Sequence, residues 1–270
     1  MTTTPALPRP SGERSPDPSS RTAVDKALEL MRFLGSHQEA IGVSELARRT
    51  GQTKSTAFRL LGILERNGMV QRQGTDYQLA RKVYDLGARV HAPRQTWLAE
   101  VLTPFVAELY ELTHETVHLA TLRGTDVVYL TKLHGHRAVP APSRVGSLVP
   151  AHCTAVGKSL LAHSPDTVEA LLDRGLHRMT HRSLQGRRAL QRELSTVRAH
   201  GLAYETEESA PGLRCVAAPV LGRGNRPVAA LSVAGSTTGF DPERFTDRLR
   251  RIAYAASLAV KHAQARSAAA

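Results

Sequence analysis

The segment that follows Thr22 carries apolar residues at every third or fourth position. In TAVDKALELMRFLGS this spacing predicts an amphipathic helix that closes at Gly35. A short second helix is expected in GVSELARRTG, with Ser44 as its N-cap and Gly51 at its end. A third helix is predicted from about Thr53 to Asn67. Its core face should consist of Ala57, Leu60, Leu61 and Leu64.

Two short extended runs follow the third helix, one in MVQRQ and one around Tyr77, and the turn QGTD joins them. Three helices and a hairpin in this order describe a winged helix-turn-helix domain in residues 21–80, whose third helix would enter the major groove of DNA. The hairpin would place Arg72 near the phosphates. The residues predicted to contact DNA are Ser44, Thr53, Lys54, Ser55, Thr56, Arg59 and Arg72.

The charge of the chain agrees with this prediction. A formal net charge of +12 favours polyanionic partners, nucleic acid first and anionic membrane surfaces second. The net positive charge per residue is about twice as high in residues 21–94 as in residues 95–270. Basic residues on one helical face are more often a solvated surface, so the prediction of double-stranded DNA as a partner depends on the order of the elements.

Other parts of the sequence narrow the class of protein. Residues 1–20 are rich in Pro, Ser and Thr, lack the apolar stretch of a signal peptide, and are predicted to be a disordered tail. No run of 18 apolar residues occurs, so no membrane span is expected. Two Cys without a C-x-x-C pattern indicate neither a disulfide framework nor a Cys-based zinc site, which fits a cytoplasmic location.

The remaining two thirds of the chain alternate between strand-like and helical runs. Residues 81–95 are predicted to be a helical linker, which could either carry dimer contacts or be a structural connector. Residues 96–266 show strands and helices without a βαβ rhythm, which predicts a sheet domain of the α+β class.

Two patterns would suit an enzyme. His114, Glu115 and His118 spell H-E-x-x-H, which binds zinc when it lies on a helix, but the β-branched residues after Glu115 favour a strand. On a strand the two His would lie roughly 13 Å apart, too far to share one zinc ion. Cys153 or Cys215 could be a nucleophile, with His152 adjacent to the first, although a small buried Cys is the commoner role. A metal-dependent or Cys-dependent hydrolase is therefore the weaker alternative.

The run VSELARRTGQTKSTAFRLLGILERNGMVQR resembles the winged helix-turn-helix of IclR-type bacterial transcriptional regulators. The recognition helix of that family typically opens with K-S-T-x-x-R-L-L, which Lys54, Ser55, Thr56 and Arg59 match, followed by two Leu. The resemblance covers nearly the whole chain after residue 21 and implies a GAF-like effector-binding domain. These regulators usually have T-G-E-T-V-H-L-A where this chain has His114 in place of Gly, so the zinc-like motif would be accidental.

The resemblance also implies a pocket for small carboxylates at the start of a helix capped by Thr154. Glu205 stands where Asp or Ser is usual in the family, and Ala234 where a second Ser is common, so the pocket differs in size and polarity. The residues that the resemblance assigns to it are Val149, Ala155, Val156, Glu205, Leu213, Cys215 and Ser232.

The resulting hypothesis is a homodimeric or homotetrameric regulator, either repressor or activator, whose operator binding responds to a small organic acid. It needs no cofactor, metal or catalytic residue. A ligand-binding protein without specific DNA binding is a further alternative.

Overall fold

A computed structural model describes residues 21–37, 39–90, 93–137 and 139–269. The chain divides into two compact units between Ala92 and Pro93. Both units contain helices and antiparallel strands, which confirms the predicted α+β class. The predicted disordered tail, residues 1–20, lies outside the described residues.

The described residues of the N-terminal unit form four helices and a small three-stranded sheet in the order β1-β3-β2. Its elements are α1 (Ala23–Gly35), β1 (Ile41–Gly42), α2 (Val43–Arg49), α3 (Lys54–Arg66), β2 (Val70–Gln73), β3 (Asp76–Leu79) and α4 (Arg81–Val90).

Local capping and a shared apolar core explain this unit. Thr22 and Asp25 form a reciprocal capping box at the start of α1. The Thr53 side chain accepts a hydrogen bond from the backbone N–H of Thr56 and starts α3. Gly74, at a φ of 64°, turns the chain between β2 and β3. The predicted core face of α3 is confirmed, since the buried residues of this helix are Ala57, Leu60, Leu61 and Leu64.

One expected cap is wrong. The residue that precedes α2 is Gly42, and Ser44 lies exposed inside the first turn of the helix. The reason is the two-residue strand β1, which pairs Ile41 with Tyr77 and Gly42 with Asp76. This pairing keeps the backbone extended as far as Gly42, so the helix begins at the next residue.

The C-terminal unit is built on a six-stranded antiparallel sheet in the order β6-β5-β4-β9-β8-β7. Its helices are α5 (Pro93–Thr113), α6 (Ala155–Leu161), α7 (Pro165–Arg174), α8 (Arg187–His200) and α9 (Thr246–Ala269). Its strands are β4 (Thr116–Arg123), β5 (Asp126–Leu133), β6 (Leu148–Pro150), β7 (Ala203–Thr206), β8 (Leu213–Leu221) and β9 (Pro227–Ser236).

Helices cover both faces of this sheet. On one face α5 and α9 pack against apolar side chains of β4, β8 and β9 in one core cluster. On the other face α6, α7 and α8 form a second cluster with the alternate residues of the strands. The short helix α6 is buried along its whole length, so it lies as a central layer between the sheet and the other helices.

The H-E-x-x-H segment has the expected non-helical structure. Helix α5 ends at Thr113, His114 has a φ of 53°, and β4 begins at Thr116. His118 therefore lies on a strand, and the helical spacing that this zinc motif requires is not formed.

Candidate functional site

The start of α3 presents polar and basic side chains to solvent. Lys54, Ser55 and Arg59 are exposed, and the hydroxyl of Thr53 donates to Thr56 Oγ1 at 2.8 Å. Within the described part of the N-terminal unit, ion pairs join Arg21 to Glu29 and two α2 arginines to Glu45. Lys54 and Arg59 take part in neither, so both charges are free to meet a polyanion.

The β2-β3 hairpin holds a third basic side chain at its tip. Arg72 Nε donates to the carbonyl oxygen of Gly74 at 2.8 Å, and the guanidinium carbon lies 5.9 Å from the ring centre of Tyr77. These contacts fix the side chain at the hairpin and leave its terminal nitrogens for other acceptors. Ser44 is exposed on α2. Its contact with DNA stays a prediction, as do those of Thr53, Lys54, Ser55, Thr56, Arg59 and Arg72.

A small cavity lies in the C-terminal unit between the first residues of α6 and the sheet. The volume open to the centre of a water molecule is about 10 Å³, close to what one water needs. Its lining consists of His118, Tyr129, Ala141, Pro142, Ser143, Thr154, Ala155, Val156, Glu205, Ser209, Leu213, Cys215 and Ser232.

The structure brings six of the expected pocket residues to this cavity: Ala155, Val156, Glu205, Leu213, Cys215 and Ser232. Val149 does not line it. That residue pairs with Val127 on β5 and is buried in the core cluster on the α6 face of the sheet. Thr154 caps α6 as expected, accepting a hydrogen bond from the backbone N–H of Gly157 at 3.0 Å.

Glu205 is the acidic group of the cavity. Its Oε1 accepts hydrogen bonds from the backbone N–H and the hydroxyl of Ser209, at 3.0 and 2.9 Å. Burial raises the pKa of Glu205 to about 7, although hydrogen bonds from Ser209 and Cys215 partly offset this effect. Near neutral pH this side chain is therefore divided between a carboxylic acid, which can donate a hydrogen bond, and a carboxylate, which only accepts.

A buried ion-pair cluster stands behind the cavity. Lys158 on α6 is 1% exposed, and its Nζ lies 2.9 Å from Glu193 Oε1 and 2.7 Å from Glu208 Oε1. Burial alone would lower the pKa of Lys158, but the carboxylates of Glu208 and Glu193 outweigh it and the pKa is raised. The cluster ties α6 to the chain just before Ser209, so two walls of the cavity are held together.

The sequence did not indicate several lining residues. His118 appeared only in the zinc-like motif, yet it is 3% exposed, with its Nδ1 3.2 Å from Ser232 Oγ and its Nε2 2.8 Å from Ser143 Oγ. The signal that could have found it is strand register, because His118 lies opposite Ser232 on β9. Tyr129 and Ser209 also reach the cavity, and nothing in the local sequence marks them.

The cysteines lack the surroundings of a nucleophile. Burial raises the pKa of Cys153 to about 11 and raises that of Cys215 well above its ordinary value. Cys153 Sγ and His152 Nε2 both lie near the carbonyl oxygen of His177, at 3.5 and 2.9 Å, so the pair is not joined to each other by a hydrogen bond. Thiols in this state are protonated at neutral pH and react slowly.

Comparison with known proteins assigns the family. The family model of the IclR C-terminal domain of bacterial transcriptional regulators matches residues 90–262, and that of the IclR helix-turn-helix domain matches residues 23–74. The chain belongs to the IclR family. Both parts of an IclR-type regulator, the DNA-binding domain and the ligand-binding domain, are thus present in it.

Individual IclR relatives agree with this assignment. The HTH-type transcriptional regulator KdgR of Escherichia coli (strain K12) is 35% identical over 235 residues, which cover 85% of this chain and 88% of KdgR. The crystal structure of Thermotoga maritima IclR matches with a TM-score of 0.74 and 29% identity, over 88% of this chain and 98% of that one.

A third match concerns the fold alone. An IclR homolog from Microbacterium hydrocarbonoxydans, crystallised in complex with 4-hydroxybenzoate, has a TM-score of 0.72 at 23% identity, over 89% of this chain and 100% of that one.

The part of the chain that the structure describes has neither a membrane-spanning helix nor a cluster of metal ligands. No helix in this part of the IclR-family chain is both long and apolar enough to cross a membrane. Within the same residues, no group of three or more His, Cys, Asp or Glu side chains is arranged to hold a metal ion.

Proposed function

We propose that this chain is a transcriptional regulator whose affinity for its operator is changed by a small organic acid bound in the C-terminal cavity. The DNA-binding part of this proposal rests on the exposed start of α3, where Lys54 and Arg59 form no ion pair with a described residue. Such side chains at the start of a recognition helix can reach base edges and phosphates, while Arg72 on the hairpin meets the backbone.

The polarity of the cavity supports an acid as the effector. The first backbone N–H groups of a helix have no acceptor within that helix, and Ala155 and Val156, the first two residues of α6, line the cavity. Ser232 and the protonated form of Glu205 add further hydroxyl donors. A buried carboxylate needs several such donors, since an unpaired buried charge is strongly unfavourable.

The proposal includes assembly as a homodimer or homotetramer acting in the cytoplasm. Helix-turn-helix dimers bind two half-sites that lie about one helical turn of DNA apart. An effector changes the affinity for the operator only when it binds unequally to two arrangements of the DNA-binding domains. Light scattering of the full chain with and without operator DNA tests the assembly.

A gel-shift titration tests DNA binding. The purified chain should shift its own promoter region against excess competitor DNA, and affinity should fall steeply with salt. Arg59→Ala should lose about 1–3 kcal/mol of binding if Arg59 contacts a base edge in bidentate fashion. Arg123→Ala, an exposed residue at the end of β4, is the matched control and should bind as the wild type does. Unchanged binding by Arg59→Ala would remove this residue from the interface.

A further inference from the structure

The cavity has one wall that does not belong to a helix or strand. Ala141, Pro142 and Ser143 come from the connection between β5 and β6, and residues 139–147 are called the wall segment here. Ser143 is 2% exposed and is the polar member of this wall. Its Oγ lies 2.8 Å from His118 Nε2 and accepts a hydrogen bond from Lys132 Nζ at 3.1 Å. The hydroxyl oxygen of Ser143 is thus in contact with both the ammonium group of Lys132 and the imidazole ring of His118.

The ammonium group of Lys132 has no carboxylate partner among the described residues. It is half-buried on β5, directly opposite His118 on β4, and burial lowers its pKa. Its hydrogen bond to Ser143 goes to a neutral hydroxyl, and no ion pair joins it to a described carboxylate. Lys158 in the same unit shows the alternative, since two carboxylates surround its ammonium group. An anionic or strongly polar oxygen would stabilise Lys132 better than a serine hydroxyl does.

His118 is the second residue that contacts the Ser143 hydroxyl. Burial lowers the pKa of His118 to about 3, with Lys132 and His134 contributing, so the ring is neutral at physiological pH. A neutral imidazole has one donor and one acceptor nitrogen. Ser232 Oγ meets Nδ1 and Ser143 Oγ meets Nε2, so both nitrogens are satisfied while the cavity is closed. Moving Ser143 away would leave Nε2 buried without a partner unless another oxygen took its place.

The size of the cavity requires such a movement. A volume of about 10 Å³ admits roughly one water molecule, and even a three-carbon acid is several times larger. The helix α6 is buried, and the ion pairs of Lys158 hold it in place. The wall segment has no helix or strand. Its Ser143 hydroxyl contacts Lys132 and His118, its Gly146 N–H donates to the carbonyl oxygen of Tyr129 at 2.8 Å, and Val139 and Ala141 pack against the core. Displacement of the Ser143 side chain is therefore the smallest rearrangement that makes space for a bound acid.

We propose that Lys132 and His118 form a second polar subsite of the effector cavity, which the Ser143 hydroxyl fills in the closed state and which takes a second oxygen group of the effector. This inference rests on the proposed function, because it assumes that the cavity binds an acid. It narrows the class of effector to acids with two polar ends, namely hydroxy acids and dicarboxylic acids. A simple monocarboxylic acid would displace Ser143 and leave Lys132 and His118 without a partner.

Calorimetric titration of the full chain with matched acids tests the subsite. The probes are the straight-chain monocarboxylates from propanoate to hexanoate, their terminal hydroxy acids, and the dicarboxylates from malonate to adipate. At the best-fitting length, the acid with two polar ends should bind about tenfold or more tightly than the monocarboxylate, as expected for a hydrogen bond to a charged group.

Two variants with opposite expected effects sharpen the test. Lys132→Met keeps most of the side-chain volume and should bring the affinities of the two kinds of acid to within about threefold of each other. Ser143→Ala removes the competing hydroxyl and should bind the two-ended acid several times more tightly than the wild type. Lys261→Met, on α9 and 3.5 Å from Asn225, is the control and should behave as the wild type does. Circular dichroism and melting curves verify that each variant is folded.

The outcomes separate the two proposals. Equal affinity for one-ended and two-ended acids in the wild type, or undiminished selectivity in Lys132→Met, overturns the subsite but leaves an acid effector in place. Weaker binding in Ser143→Ala also overturns it, since the hydroxyl would then support the bound state. If no acid of any length binds, the acid effector itself is refuted, and the gel-shift result decides DNA binding separately. If Lys132→Met fails to fold, the sign of the Ser143→Ala effect still decides.

Discussion

Replacing Glu205 by Gln should stabilise the folded chain, and the gain should grow with pH. The carboxyl is buried, and its pKa rises from an ordinary value of 4.5 to about 7 on folding. Between these values the folded chain holds a proton that the unfolded chain has released, so ionisation disfavours folding increasingly as pH rises through this window. The cost is small below pH 4.5 and levels off above pH 7, at about 3 kcal/mol.

The Gln side chain imitates the protonated acid. Its oxygen can keep the hydrogen bonds from Ser209, and its amide group faces the sulfur of Cys215, a weak acceptor. The linkage relation gives a difference in ionisation cost of about 2 kcal/mol between pH 5.5 and pH 8.5. The stabilisation of Glu205→Gln relative to wild type should therefore be larger by that amount at the higher pH.

Urea unfolding of the wild type and the variant at both pH values measures the effect, since the midpoint and slope give the free energy of unfolding. Glu111→Gln, an exposed carboxylate on α5, is the control for removal of one negative charge. A stability difference between Glu205→Gln and wild type that is the same at pH 5.5 and pH 8.5 would refute the reasoning, as would a difference that shrinks with rising pH.

Two further substitutions test packing. Leu61→Ala removes a fully buried side chain from the N-terminal core and should lower the free energy of unfolding by about 2–5 kcal/mol. Leu86→Ala, at a half-exposed site, should lower it much less. Equal losses for the two variants in chemical unfolding would contradict the core assignment. Gly157→Ala would make a Cβ that overlaps the carbonyl oxygen of Ala151 and should abolish soluble folded protein or lower its melting temperature sharply. Gly62→Ala, in an open part of α3, should be neutral or stabilising, so a folded and fully stable Gly157→Ala would show that α6 packs elsewhere.

The helix-turn-helix could be predicted because its signals are local. The spacing of Leu60, Leu61 and Leu64 is that of one helix face, and Thr53 caps the same helix three residues before its partner. The failure at Ser44 has a non-local cause, because Gly42 pairs with Asp76 more than thirty residues later in the chain. The preference of Ser44 for the N-cap position is weaker than the pairing of β1 with β3, and no local sequence pattern indicates that pairing.

The cavity was predictable only where the family resemblance reached it. Six expected residues meet there, but their meeting depends on the register of β4 with β9 and of β7 with β8. The local sequence relates His118 to His114 by their spacing, whereas the neighbours of His118 in the structure are Ser232 and Ser143, which lie 114 and 25 residues away. Such partners are set by sheet topology, which sequence periodicity does not encode.

The closed state of the cavity has a kinetic consequence. Under the proposed binding mode, an effector binds only the fraction of molecules whose wall segment has moved, so the apparent dissociation constant equals the intrinsic one divided by that fraction. Association is then limited by the opening rate of residues 139–147 rather than by diffusion. The concentration at which the regulator responds is consequently set in part by residues that hold the segment shut. Under the same proposal, substitutions in the wall segment shift the effector concentration at which the regulator responds and leave the contacts to the bound effector unchanged.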